Sequence, residues 1–239
     1  MKILMALMMM GTLASCSVFQ KKPQQNTQGG TSSASTQQMQ TENKNQKAFE
    51  QASKLASGWP ETSVIAAKEI ISKYGEPSET TSNMLIWRNV APFREIIVHR
   101  NVYSHQFPLL HKNAVEHKVD YKAPSANKVG EIWEYNGAVS LDRNRGLMSV
   151  VGENEAMNIL SLNLAHEILS GERSYESARI KYGQETLDFL NGQKTNYTQS
   201  LKFGNQRNTA DKGKSITDKI QWVSPDGTTK THRQAQEEQ

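Results

Sequence analysis

The chain has 239 residues, a formal net charge of +4, a pI near 9.0 and one cysteine. A lone cysteine excludes an intrachain disulfide, a dithiol redox pair and a multi-thiolate metal centre. The basicity is not the footprint of a nucleic-acid binder: residues 58–203 carry 16 basic and 17 acidic side chains with the signs interspersed, and the surplus lies in the flanking arms.

Met1 and Lys2 give a positive start, residues 3–13 form an apolar run broken only by Gly11 and Thr12, and small residues precede Cys16. The run is far shorter than the ~20 residues a membrane crossing needs. Leu13-Ala14-Ser15-Cys16 resembles the lipobox of a bacterial lipoprotein signal, with an aliphatic residue, two small residues and the cysteine in order. The resemblance implies removal of residues 1–15, diacylglycerol on the Cys16 sulfur and a further acyl chain on the new N-terminus. Two or three acyl chains hold a protein stably at a membrane surface where one does not. Ser17 stands where an aspartate would signal inner-membrane retention in enteric bacteria, which implies the outer membrane and its periplasmic face. An acylated Cys16 leaves no thiol to act as a nucleophile.

Residues 16–57 are Gln, Asn, Ser, Thr and Gly with few large apolar side chains, too few to offset chain entropy, and are expected to form a disordered polar tether. As a coil of about 40 residues it would reach about 35 Å r.m.s.. Lys21 and Lys22 would sit near anionic headgroups, and residues 48–56 could add a helical turn or two before the domain. Residues 58–203 form the single expected domain. Val64, Ala67, Ile70, Ile71 and Tyr74 share a helical stripe, with Thr62 or Ser63 as cap and Gly75 and Pro77 as the stop. Strands are expected over 84–88 and 95–103, and over 115–121, where Val115, His117, Val119 and Tyr121 alternate with charged residues. Asn136-Gly137 between 129–135 and 138–142 reads as a two-residue hairpin, followed by a strand over 147–151. Two helices follow, over 153–169 and 175–190, with Gly171 as C-cap and Ser174 as N-cap. The first is apolar on two faces and is expected to be central. The predicted class is α+β, an antiparallel β-meander with an N-terminal helix and a C-terminal αα-hairpin packed on one face. Residues 204–239 read as a polar, mostly disordered tail with one short strand before the Ser224-Pro225-Asp226-Gly227 turn.

Trp59-Pro60, Tyr74-Gly75-Glu76-Pro77, Leu85-Ile86-Trp87, Phe107-Pro108, the run from Asn158 to His166, and Ser177-Ala178-Arg179 together resemble a group of uncharacterised bacterial envelope proteins. The resemblance covers most of residues 59–203. It implies one domain and carries no activity or catalytic signature.

Chemistry-bearing residues are sparse. His99, His105, His111 and His117 recur every six residues, but that spacing separates them by ~20 Å along a strand and turns them 240° apart on a helix, so no metal site is expected unless the chain folds back at Phe107-Pro108. Asn163, His166 and Glu167 share an arc of the central helix near Glu155 and Ser170. A His and a Glu are able to do acid–base work, which makes them candidate catalytic residues, and a structural network or a solvated face is the competing reading. Trp133 and Tyr135, read on a strand, project to one side beside Glu131 and are candidates for a binding surface or for packing beneath a helix. Lys212-Gly213-Lys214-Ser215 mimics the end of a P-loop but has Asn208 where its first glycine belongs.

These readings point to a membrane-anchored envelope lipoprotein with a non-catalytic binding or structural role, using no cofactor and no nucleic acid. Its expected partners are the membrane, through the lipid, and an envelope protein. An envelope hydrolase using Glu/His chemistry and an accessory lipoprotein of a secretion or assembly complex remain open alternatives. Convergent titratable side chains in a concave pocket would favour the hydrolase. An exposed apolar patch at Trp133 and Tyr135 would favour the accessory subunit.

Overall fold

A computed structural model of the chain describes residue 43, residues 46–122, 128–204 and 221–231. The element order is α1 (residues 46–55), α2 (Glu61–Tyr74), β1 (Glu79–Thr80), β2 (Met84–Arg88), β3 (Glu95–His105), β4 (His111–Asp120), α3 (Val129–Tyr135), β5 (Val139–Asp142), β6 (Leu147–Gly152), α4 (Glu155–Ser170), α5 (Tyr175–Leu190), α6 (Asn196–Gln199), β7 (Gln221–Val223) and β8 (Thr229–Thr231). The fold is α+β. Strands β1 to β6 form one antiparallel sheet in the order β1-β2-β3-β4-β6-β5, and β7 and β8 pair separately across the Ser224–Gly227 turn. The tail therefore carries two strands where one was expected. The Cys16 region, the tether through residue 42 and Lys212 to Ser215 lie outside the described residues.

The register sets two faces. Leu85, Trp87, Ile96, Val98, Val115, His117, Val119, Met148 and Val150 lie in matched positions across four strands and are all buried. This is the helix-covered face: the Trp87 indole N–H donates to the Gly75 carbonyl at the end of α2 (2.9 Å), and His117 reaches α4. The opposite face carries a chain of opposite charges. Arg88 pairs with Glu79 and Glu95, Lys118 with Glu95 and Glu116, and Glu116 with His99. Pairs of this kind contribute little each and mainly fix which strand lies beside which.

Helix α4 forms the centre of the fold. Asn154 caps it by accepting the Met157 N–H, Gly171 ends it at φ +83°, and every residue between is buried except Ala156, His166 and Ser170. A helix buried on both sides needs the two-faced apolar pattern seen in its sequence. Helix α5 starts at Ser174, whose hydroxyl accepts the Ser177 N–H, and packs with its Ala178 and Tyr182 inward.

Several local expectations are corrected. Residues 129–135 form helix α3 and not a strand. Ile132 and Tyr135, three apart, turn into the core, and the Lys128–Glu131 pair spans one turn outside. Seven residues fit a period of two or of 3.6 almost equally well, and here packing on α4 and α5 decides. Asn136 does make a tight turn, its side chain accepting the Ala138 N–H at 3.0 Å, but the turn joins a helix to β5. The hairpin lies one element later, between β5 and β6, so β6 sits beside β4 and β5 takes the edge. Helix α2 begins at Glu61 behind Pro60, with neither Thr62 nor Ser63 as its cap; the Ser63 hydroxyl donates instead to the Arg100 carbonyl.

The helical turns expected at 48–56 form α1 at 46–55. Ala48, Ala52 and Ala56, four apart, are buried, and the Lys68 ammonium lies 4.9 Å from the Phe49 ring. Small residues at that spacing let one helix sit close on another, so ordered packing starts well before residue 58. A chain beginning at residue 58 is accordingly expected to melt several degrees below one beginning at residue 43. Equal melting temperatures would show that α1 adds nothing to the core.

Candidate functional site

The polar arc on α4 lies where the chain returns after α5. The Asn163 amide N–H groups donate to the carbonyls of Tyr197 (3.0 Å) and Ser200 (2.9 Å), and its oxygen accepts the Lys202 N–H (2.8 Å). Three backbone groups of an irregular segment are thus satisfied by one side chain with no exposure. Glu167 accepts from Arg173 (2.6 Å), from the Tyr197 hydroxyl (2.7 Å) and from Lys202 (3.3 Å). Burial alone would raise the Glu167 carboxyl; these bonds outweigh it and hold the group below the usual carboxylate range. His166 Nδ1 lies 3.0 Å from the Tyr121 hydroxyl, and its ring leans on Phe203 at 4.8 Å between centroids. Burial lowers the imidazole and pushes the Tyr121 hydroxyl up to about 12. Asn163, His166 and Glu167 therefore meet on one surface, and that surface is covered by residues 196–203. The sequence gave no sign of the covering partners Tyr197, Lys202 and Phe203, because they lie beyond the last helical periodicity.

A second polar centre lies at the other end of α4. His117 is fully buried, as the alternation of β4 requires. The Asn158 amide nitrogen donates to the Val115 carbonyl (3.0 Å) and to His117 Nδ1 (2.8 Å). The Val115 carbonyl accepts only a donor, which fixes the amide orientation and leaves His117 Nδ1 unprotonated. His117 Nε2–H then donates to Glu155 at 3.3 Å. Glu155 also accepts from Lys73, and its backbone N–H donates to Glu69 at 3.2 Å. Burial opposes charge on Glu155, yet the bonds from His117 and Lys73 keep its carboxyl below the ordinary value. Burial likewise lowers His117, against the pull of Glu155, and raises Glu69.

Trp133 and Tyr135 part company. On a helix, residues two apart face nearly opposite ways, so Tyr135 is fully buried and Trp133 is 73% exposed. The pair does not form one binding surface. The Arg179 guanidinium closes α3 by donating to the Tyr135 carbonyl at 2.8 Å, and it stacks 3.9 Å over the Phe107 ring.

The histidines are divided by the β3–β4 fold-back at Phe107-Pro108. His105 and His111 become cross-strand neighbours with ring centroids 5.1 Å apart, while His99 pairs with Glu116 and His117 is buried on the other face. Among the described residues no three His, Cys, Asp or Glu side chains converge as metal ligands. Beside the His105–His111 pair is a cavity of about 150 Å³, between the β3–β4 turn, the end of β6, the start of α4 and the end of α5. Pro108, Val150, Met157 and Leu190 give it apolar walls, and Asn158, Ser161 and Tyr182 give it polar ones. The Asn158 side-chain oxygen, turned away from its two acceptors, is buried with no hydrogen-bond partner. It lies against Gly152, where a Cβ would stand 2.0 Å from it.

Two outcomes are expected from this geometry. Asn163→Ala leaves two carbonyls and an N–H without their partner and is expected to cost about 1–3 kcal/mol, with the chain after residue 195 becoming open to protease; a variant that melts and digests like the parent would refute the clamp. Protonation of His117 opposes folding, since its folded-state value lies below the ordinary 6.5. Its stabilisation is complete above that pH and is lost as pH falls through it. Glu155 and Glu167, held below 4.5, add a second loss at lower pH, and Glu69, held above 4.5, works in the opposite sense. Urea midpoints should therefore drop between pH 7.5 and 5.5, and less so in His117→Gln; a parent midpoint that does not move would contradict the buried neutral imidazole. Comparison of the chain with protein-family models, with curated proteins and with solved structures found no match, so the site is read from its geometry.

Proposed function

We propose that the protein is a lipid-anchored envelope protein, held by acyl chains on Cys16 at the periplasmic face of the outer membrane, whose domain binds or supports other molecules without performing chemistry. The anchor is supported by the Leu13-Ala14-Ser15-Cys16 pattern. The non-catalytic role is supported by one observation above others: the candidate acid–base residues are already occupied. Glu167 is ionised and bonded to three donors, Asn163 is saturated by backbone, and both lie beneath residues 196–203. A general base must reach a substrate proton in an open site, and a carboxylate held by Arg173, Tyr197 and Lys202 is a poor proton acceptor. This counts against the envelope hydrolase.

The accessory-subunit reading draws support from the surface. Trp133 on α3 and Ile180 on α5 are each more than 70% exposed, and large apolar side chains in water are common where another protein docks.

The anchor is directly testable. Cys16→Ala is expected to abolish incorporation of labelled palmitate and to release the protein from the membrane fraction. Unchanged labelling in that variant would overturn the lipoprotein reading.

A further inference from the structure

We propose that the cavity beside the β3–β4 turn is a binding site for a compact apolar group about the size of a benzene ring that carries one O–H or N–H donor. The volume of about 150 Å³ is that of an engineered core cavity able to hold benzene. It is too small for a cofactor or a sugar. The walls select for apolar contact through Val150, Met157 and Leu190. The donor requirement comes from Asn158. Its nitrogen is committed to Val115 and His117, so its orientation is set, and its buried oxygen is left to accept from whatever enters. Gly152 clears the approach, because any side chain there would occupy the position of that oxygen. At the mouth, Leu109 and Leu110 are 53% and 74% exposed, which lines the entrance with apolar surface that a hydrophobic ligand would cover. The inference rests on the binding reading above and is independent of the Cys16 anchor.

Phenol and fluorobenzene are matched in size and differ in the donor. The full chain carrying Cys16→Ser is titrated with each without detergent and followed by NMR, with ligand-to-protein NOEs read at the Met157 and Leu190 methyl groups. Phenol is expected to bind saturably, about five- to tenfold tighter than fluorobenzene, with NOEs to both methyl groups, and to be recovered unchanged. Ala138→Leu, which extends a side chain into the cavity from its rim, is expected to abolish both. Equal affinity for the two ligands would overturn the role of Asn158. Absence of saturable binding, or binding without those NOEs, would overturn the site itself whether or not Ala138→Leu folds. Phenol consumed by the protein would instead overturn the non-catalytic reading.

Discussion

A carboxylate almost without solvent must find its counter-charges inside the protein, and Glu155 finds them on two other elements. His117 comes from the middle of β4 and Lys73 from the last turn of α2, while Glu155 itself opens α4. The placement is favourable twice over, since a negative group at a helix start also faces the positive end of the helix dipole. Removing any one partner would leave a buried charge uncompensated, a far larger penalty than the pair contributes when intact. The relative position of α2, the sheet and α4 is fixed by this one meeting point. Everything that packs on α4 inherits that position.

The far end of α4 repeats the device with another carboxylate. Glu155 and Glu167 are twelve residues apart, about 18 Å along the axis. Glu167 gathers Arg173 from the connection to α5 and Tyr197 and Lys202 from the returning chain. Between the two lie Leu160, Leu162 and Leu164, which bury different sides of the helix. The middle of α4 is thus held by apolar contact without direction, and its ends by directional bonds that forbid sliding or rotation.

How far this was legible in the sequence depended on the range of the physical signal. Gly171 and Ser174 declare the ends of α4 and α5 through local backbone chemistry, and both act as caps here. The alternation around His117 places it on the apolar face, which burial confirms. Helix α3 was missed because its seven residues carry no decisive period and its stability comes from Arg179 and Tyr182, more than 40 residues away. Helix α1 was undervalued because alanines spaced by four contribute little to average apolarity, though they suit close helix contact. The arc of Asn163, His166 and Glu167 was visible as an arc. What covers it was not, since residues 196–203 show neither helix nor strand patterning, and only the fold brings their carbonyls to Asn163.

The separation of Trp133 from the core has a spectroscopic meaning. Trp87 is buried with its indole N–H bonded to the Gly75 carbonyl, whereas Trp133 lies mostly in water. Their emission in the native state is a sum of a blue component and a red one. Iodide would quench the red component while leaving the blue almost untouched. Unfolding would shift only the Trp87 component, so emission from these two indoles reports the packing of α2 on the sheet while α3 supplies a constant background.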